Sequence, residues 1–292
     1  MKSGFVSIIG RPNSGKSTLL NRLVGEKVSI VTNKPQTTRH VVKGIVTTAE
    51  GQVVFIDTPG VHKPIHRMNE HMMKSVRDSM NDADIVALIV DCSVPYGRGD
   101  EFTLELVQGA KTKKFLLLNK IDLIAKKNVL PIIDRYSKLA SFDEVIPISA
   151  RSGDNVDTCV AEIMKHLPEG PMFYPSEQIS DQHERSIAGE MIREKVILLT
   201  EEELPFSTAV VIDRFEEEPS LCRLYATIFV ERESQKGIVI GRGGEKLKEI
   251  GTAARKDLEV FLGRKVFLDL HVKLKKGWRD DDGTLRTLGL HQ

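Results

Sequence analysis

Through about residue 167 the chain alternates short runs that are apolar at almost every position with longer segments whose apolar residues recur every three or four positions. The short runs are Gly4–Ile9, Val53–Ile56, Ile85–Val90, Phe115–Leu118 and Val145–Ile148. Apolar on both faces, they predict strands of a sheet covered on both sides. Lys16–Val24, His66–Met80, Glu101–Gln108, Val129–Leu139 and Val156–His166 carry helical spacing between them. Val41–Thr48 predicts a further strand, antiparallel at the edge, because the Glu50–Gly51 turn follows closely. Strands alternating with helices predict an α/β fold, a doubly wound and mostly parallel sheet.

Pro168-Glu169-Gly170-Pro171 ends this pattern and Pro175 follows, so residues 168–180 read as a linker. The patterning then changes. Gln182–Leu199 predicts a helix with Ile187, Met191 and Val196 on its apolar side, and Phe206–Asp213 and Arg223–Glu231 predict strands. A glycine-rich turn, a helix over Glu245–Phe261 and a strand over Val266–Val272 complete the order helix-strand-strand-helix-helix-strand. The expected organisation is a first domain over 1–167, a smaller α+β domain over 181–280 and a tail over 281–292.

At 292 residues the chain is long enough for two domains, each with its own core. Lys and Arg total 42 against 41 for Asp and Glu, so any site for a polyanion must be a local cluster. Cys92, Cys159 and Cys222 are far apart and lack CxxC spacing, which fits thiols in a reducing cytosol and neither a disulfide framework nor a zinc site. The longest apolar stretch, Ala83–Val90, has Asp84 and Asp91 near its ends and is too short to span a membrane. The first strand begins within a few residues of the start, so no signal or transit peptide is expected and the protein reads as cytoplasmic.

Candidate chemistry begins at Gly10-Arg11-Pro12-Asn13-Ser14-Gly15-Lys16-Ser17-Thr18, between a predicted strand and a predicted helix. This satisfies GxxxxGK[ST] in the context that motif requires. Its glycines let backbone N–H groups turn toward a β-phosphate at a helix N-terminus, Lys16 suits the β- and γ-phosphates, and the Ser17 hydroxyl suits Mg²⁺. Asn119-Lys120-Ile121-Asp122 follows a buried strand and so lies at the carboxyl edge of the sheet. A carboxylate there accepts from both N1–H and the exocyclic amine of guanine, whereas adenine has no such pair of donors. The expected ligand is GTP. Ser149-Ala150 should complete the base pocket with backbone N–H groups toward the guanine oxygen. Asp57-Thr58-Pro59-Gly60 closes another strand; Asp57 suits the outer coordination sphere of Mg²⁺ and the Gly60 N–H suits the γ-phosphate. One hydroxyl of Gln36-Thr37-Thr38-Arg39 should complete the Mg²⁺ shell, with Thr38 favoured over Thr37.

In the second domain, Ile238-Val239-Ile240 leads into Gly241-Arg242-Gly243-Gly244, and a helix opens at Glu245. A GXXG turn between two helices, with strands in this order, matches a type II KH domain, whose turn clamps a nucleic-acid backbone. Arg242, Lys246, Lys248, Arg255 and Lys256 cluster around it, and Lys275 and Lys276 follow the last strand. Around a GXXG these cations supply the phosphate-binding contribution to RNA affinity. Glu201–Glu203 and Glu216–Glu218 balance the charge elsewhere. Trp278, the chain's only tryptophan, either stacks on a base or anchors the tail.

The spacing of NKPQTTR, DTPG and NKID, together with the KH match and the ending KKGWRDDDGTLRTLG, resembles the Era family of ribosome-assembly GTPases over essentially the whole chain. The resemblance implies slow GTP hydrolysis with Mg²⁺. The residue after DTPG is Val61, which cannot orient water as the glutamine of Ras-like switches does; His62 next to it is a candidate substitute, with an ordinary loop residue the favoured reading. It also implies that Asn13 holds a K⁺ ion beside the phosphates. The family loop carries valine where this chain has Ser14, a departure expected to be mild at an outward-facing position, and its tail reads closer to KKNWR than to the stretch containing Gly277. The partners implied are GTP and GDP, the 3′ end of the small-subunit ribosomal RNA, the small ribosomal subunit, and a peripheral association with the inner membrane by a monomer. A GTPase acting in cell-cycle signalling or transfer-RNA modification is the alternative. Residues 168–292 offer no catalytic cluster for modification chemistry. A KH adaptor with a degenerate GTPase domain is opposed by the intact Lys16, Ser17, Asp57 and Asp122.

Overall fold

Valine, isoleucine and leucine dominate the short runs, and β-branched side chains pack well on a pleated surface buried on both faces. In the computed structural model, which describes residues 1–200 and 204–290, the first part of the chain runs in the order β1 (Lys2–Ile9), α1 (Lys16–Val24), β2 (Val42–Thr47), β3 (Gly51–Asp57), α2 (Arg67–Asn81), β4 (Ile85–Asp91), α3 (Arg98–Gln108), β5 (Lys113–Asn119), α4 (Val129–Leu139), β6 (Glu144–Pro147) and α5 (Val156–His166). The strands make one sheet in the order β2-β3-β1-β4-β5-β6. Neighbours are parallel except β2, which pairs antiparallel with β3 at the edge. Alternate strand residues feed two cores. Val6, Phe55, Ala87, Phe115 and Leu117 pack with α1 and α5, while Ile9, Val86, Leu88, Leu116 and Leu118 pack with α2, α3 and α4.

Register places the chemistry. Ile8 pairs with Asp57 and Asp91 with Asn119, so the strand ends that precede Gly10, Thr58, Cys92 and Lys120 lie along one edge. That carboxyl edge is where open α/β sheets bind ligands.

The remaining elements are α6 (Glu184–Leu199), α7 (Leu204–Ser207), β7 (Ala209–Glu217), β8 (Leu221–Val230), α8 (Glu233–Ile240), α9 (Glu245–Leu262), β9 (Lys265–Leu274) and α10 (Asp282–Thr287). Their sheet has the order β7-β8-β9, antiparallel then parallel. Helices α6 and α9 bury Ile187, Met191, Ala254 and Leu258 against Cys222, Leu224 and Ala226. Phe206 and Ser207, expected at the start of a strand, belong instead to α7, a single turn that accepts Pro205 because first-turn amides have no intrahelical acceptor. Glu201–Glu203, invoked for charge balance, lie outside the described residues.

By contacts the chain forms two units. The first comprises Met1–Ser29, Thr38–Pro64 and Met72–Asp181; the second comprises Ile30–Thr37, Ile65–His71 and Gln182–Gln292. Two short segments near the front of the chain therefore belong with the KH-like elements. Within the second unit the Arg67 amide donates to Asp280 Oδ1 at 3.0 Å, His66 Nδ1 lies 3.0 Å from Asp280 Oδ2, and Arg67 Nη1 lies 2.5 Å from Asp282 Oδ2. The segment read as a linker is strapped to the first unit. Ser3 and Pro168 are joined by a backbone bond of 3.0 Å, and Gln52 Oε1 accepts from the amides of Phe173 and Tyr174 at 2.9 and 3.0 Å. Ile45 N–H donates to the Ile179 carbonyl at 2.8 Å. No helix among the described residues is long and apolar enough to cross a membrane.

Candidate functional site

The loop from Gly10 to Ser17 leaves β1 and enters α1. Gly15 has φ +102°, and a Cβ there would meet Asn119 Nδ2 at 2.2 Å, so only glycine fits. The approach is used: Asn119 Nδ2 donates to the Ser14 carbonyl at 2.8 Å. Lys120 donates to the Asn13 carbonyl at 2.9 Å and to Asp91 Oδ2 at 2.5 Å. Burial works against the charge of Asp91, but the bonds from Lys120 and Ser93 outweigh it and hold the carboxyl below its ordinary range. Asn119 and Lys120 thus fasten the loop to the end of β5. Lys16 Nζ donates to the carbonyls of Gly10 and Arg11 at 3.0 and 2.8 Å. Burial lowers its pKa to about 8, opposed by Asp57, and a phosphate beside it would raise it again.

Ser17 Oγ donates to Asp57 Oδ2 at 2.7 Å and lies 2.8 Å from Thr38 Oγ1. Thr37 Oγ1 is turned away, donating to the Lys34 carbonyl at 2.7 Å and lying 2.6 Å from Thr32 Oγ1. The structure therefore brings Ser17, Thr38 and Asp57 together and leaves Thr37 out. Asp57 Oδ1 is buried with no hydrogen-bond partner among the described residues. Burial raises the pKa of this carboxyl, against the pull of Lys16 and the hydroxyls of Ser17 and Ser29. Hard oxygens from two hydroxyls and a carboxylate beside a phosphate loop fit Mg²⁺, which keeps part of its water and takes few protein ligands. Thr58 Oγ1 donates to the Ile8 carbonyl at 2.8 Å, and Val61 N–H to the Gly10 carbonyl at 3.0 Å. Pro59 and Gly60 are held between them, with Gly60 packed on Pro12. Val61 is buried in the core, and His62 Nδ1 lies 2.7 Å from the Gly60 carbonyl.

Asp122 follows Ile121 in a turn of 3₁₀ helix, and Ser149 Oγ donates to Asp122 Oδ1 at 2.6 Å. The backbone N–H groups expected to face guanine are engaged within the protein. Ser149 N–H donates to the Asp154 carbonyl at 3.0 Å and Ala150 N–H to Asn119 Oδ1 at 2.9 Å. The Ser149 side chain adds the hydroxyl bonded to Asp122. Sequence reasoning missed Asp100, whose Oδ2 holds Arg11 Nη1 at 2.6 Å, and Ser29, whose Oγ donates to Asp57 Oδ2 at 3.0 Å. No motif marks either one.

In the second unit α8 ends at Gly241, whose φ is +73° and whose Cβ would meet the backbone nitrogen of Lys246 at 2.9 Å. Gly243 and Gly244 also have positive φ. A groove of about 440 Å³ runs beside this turn, lined by Gly244, Leu247, Lys248, Gly251, Arg255 and Leu270, among others. Lys248 and Arg255 line it as expected, and Arg242 is exposed at the turn. Lys246 is paired with Glu249 at 2.7 Å, and Lys275 and Lys276 are exposed past the end of β9. Trp278 does not join them. It is completely buried, with Nε1 donating to the Ser207 carbonyl at 3.0 Å, because its ring has a core site and its N–H an acceptor. It anchors the tail and presents no face to RNA.

The family model for a 50S ribosome-binding GTPase matches residues 5–120, and that for a KH domain matches residues 203–279. A solved structure of an Aquifex aeolicus Era variant bound to GDP·AlF4⁻ is 39% identical, covers 100% of both chains and superposes with a TM-score of 0.95. A second, Era in complex with MgGDPNP and nucleotides 1506–1542 of 16S ribosomal RNA, matches with the same identity, coverage and TM-score. The chain belongs to the Era family of GTPases. Ser14, expected to face outward, does not. Ser14 is buried and its Oγ has no hydrogen-bond partner among the described residues. A buried hydroxyl left without a partner carries a desolvation cost.

Proposed function

We propose that this Era-family GTPase binds the 3′ region of the small-subunit ribosomal RNA through its KH domain and acts in assembly of the small ribosomal subunit, with RNA binding tied to the GTP state. The observation that supports the reading is the convergence of Ser17, Thr38 and Asp57 beside the phosphate-loop motif, together with a GXXG groove, in one chain that matches Era structures over its full length. Lys16 and the loop amides hold the β- and γ-phosphates, while Ser17 and Thr38 are the direct Mg²⁺ ligands and Asp57 stands behind them. The ion neutralises charge developing on the phosphates. Val61 supplies no group to orient water, so the residues position the phosphates and the intrinsic rate is slow. A cytoplasmic monomer, associating peripherally with the inner membrane, completes the proposal and is supported by the family resemblance.

Replacing Arg242 with aspartate tests the RNA half. Arg242 is exposed and lies between residues that need positive φ, so the exchange alters charge with little change to the fold. Gly243 is a poorer target, since φ +57° would strain any side chain there by about 1 kcal/mol. Reversing one charge at a phosphate contact is expected to weaken binding of a 16S 3′-end RNA about ten- to thirtyfold and to lower its salt dependence, measured by fluorescence anisotropy across KCl concentrations. Undiminished affinity in a folded variant would place the RNA elsewhere.

The family resemblance implies that Asn13, at the turn of the phosphate loop with φ +63°, holds a K⁺ ion beside the phosphates. Single-turnover hydrolysis is expected to run several-fold faster in KCl than in NaCl, and Asn13→Ala should remove the difference. Equal rates in the two salts for the native chain would end the potassium reading.

A further inference from the structure

Thr38 is the Mg²⁺ ligand that must be delivered by a loop, and the residue before it belongs to a different unit of the protein. Within the second unit, segment 30–37 is held at both ends by α6. The Val31 amide donates to Glu194 Oε1 at 3.1 Å, and Arg193 Nη2 donates to the Thr37 carbonyl. Arg193 is 1% exposed, which is uncommon for a guanidinium. Its fork is aimed by Glu190, which accepts from Nε at 2.8 Å and from Nη2 at 2.5 Å. One nitrogen, Nη2, thus bridges the Glu190 carboxylate and the backbone of Thr37. Inside the segment Thr37 Oγ1 is turned onto the Lys34 carbonyl, so the backbone carbonyl is the group this residue offers to α6. One peptide bond later, Thr38 Oγ1 lies 2.8 Å from Ser17 Oγ.

We infer that Arg193, in the first helix of the RNA-binding unit, is a positioning residue for the GTPase. By fixing the Thr37 carbonyl it sets the orientation of the Thr37–Thr38 peptide and so the place of the Thr38 hydroxyl. Mg²⁺ demands near-ideal octahedral geometry at about 2.0–2.1 Å, so a ligand on a loop is useful only where its peptide is held. A charge-assisted bond to a carbonyl, made by a buried fork already oriented by Glu190, supplies that constraint. In GTPases the loop carrying such a ligand is ordered by the γ-phosphate and its metal and released on hydrolysis. Arg193 therefore acts on the triphosphate state and leaves the diphosphate state largely unaffected. A purely structural arginine would alter stability and leave the balance between the two nucleotides as it was.

The inference rests on the Mg²⁺–GTP reading above, and one set of measurements separates the two. In the full-length protein, GTP-analogue and GDP affinities are measured across Mg²⁺ concentrations for the native chain, Arg193→Gln, Arg193→Lys and Glu190→Gln, each with a melting curve. For Arg193→Gln the expected result is a roughly tenfold loss of GTP-analogue affinity with GDP affinity unchanged, and a higher Mg²⁺ concentration for half-maximal hydrolysis. Arg193→Lys keeps a cationic donor but cannot serve Glu190 and Thr37 with the same planar fork, so it should recover part of the loss. Glu190→Gln leaves the guanidinium in place and loosens its aim. It should move the ratio of the two affinities in the same direction, and it decides the matter if Arg193→Gln does not fold. An unchanged ratio and an unchanged Mg²⁺ requirement in folded variants would overturn the positioning role. Failure of the native chain itself to bind GTP with Mg²⁺ would instead remove the reading on which it stands.

Discussion

Asp122→Asn is expected to cost at least a hundredfold in GTP affinity and to move the preference of the site to xanthosine nucleotides. Ser149 Oγ fixes Oδ1 of the carboxylate at 2.6 Å and so sets the plane in which it meets the base. Guanine presents N1–H and an exocyclic amine, both donors, and a carboxylate accepts from both. Hydrogen bonds to a charged group contribute about 1.5–3 kcal/mol each, so mismatching them costs at least about 3 kcal/mol, or two decades of affinity. The amide of asparagine keeps one acceptor and turns a donor toward the guanine amine, which leaves two donors facing each other. Xanthine carries a carbonyl there and satisfies the amide. Competition of GTP, XTP and ATP against a labelled nucleotide at fixed Mg²⁺ reads all three preferences. Equal affinity of the native chain for ATP and GTP, or an Asp122→Asn variant that still prefers GTP, would show that the base is selected by other groups.

Trp278→Ala is expected to destabilise the second unit by about 3–5 kcal/mol, the usual cost of truncating a large buried aromatic. The indole is fully buried and its Nε1–H is bonded to the carbonyl of Ser207, itself buried, so truncation opens a cavity and leaves a buried acceptor unpaired. For a unit of about 125 residues that is a fall in melting temperature on the order of 10 °C. Trp278→Phe fills much of the space without the N–H and should cost less, about 1–2 kcal/mol. The alternative, an indole stacked on a base, predicts the reverse: loss of RNA affinity with an unchanged melting curve. Thermal unfolding followed by circular dichroism, with RNA binding measured well below the transition, separates the two.

Some of this was written locally and some was not. Helices α1, α4 and α5 have the bounds that periodicity assigns, because their apolar spacing is regular and, for α1, Gly15 and Gly25 stand just outside its ends in left-handed conformation. Helix α3 starts at Arg98, earlier than its apolar pattern, because the Gly97 amide donates to Asp100 Oδ2 at 2.9 Å and opens the first turn before any apolar residue marks it. Strand β9 runs on to Leu274 because β8 offers it a partner throughout, a long-range fact that no window of sequence contains. The site divides in the same way. Lys16, Ser17, Asp57 and Asp122 belong to motifs whose spacing is itself the signal. Asp100, Ser29 and Arg193 reach their partners from elsewhere in the chain and share no spacing with them. Trp278 was ambiguous for the same reason: what decides it is a carbonyl 71 residues away. Ser14 was misjudged because the direction of a side chain in a glycine-rich turn is a property of the folded loop.

The strap that carries residues 168–181 back over the first unit has a consequence for association between molecules. A strand at the margin of a sheet presents a row of unpaired amides and carbonyls, a template on which any extended chain can add. Strand β2 occupies that position here, and along part of its length the template is taken. Ile45 donates to the Ile179 carbonyl, Ser180 forms a β-bridge with Gly44, and Ser180 Oγ donates to the Lys43 carbonyl at 2.7 Å. The salt bridge of Lys43 to Asp181 at 3.0 Å closes the end of the strap. The stretch that composition marks as a spacer thus insulates the sheet margin, and a nick or deletion there would turn a shielded edge into a polymerisation surface.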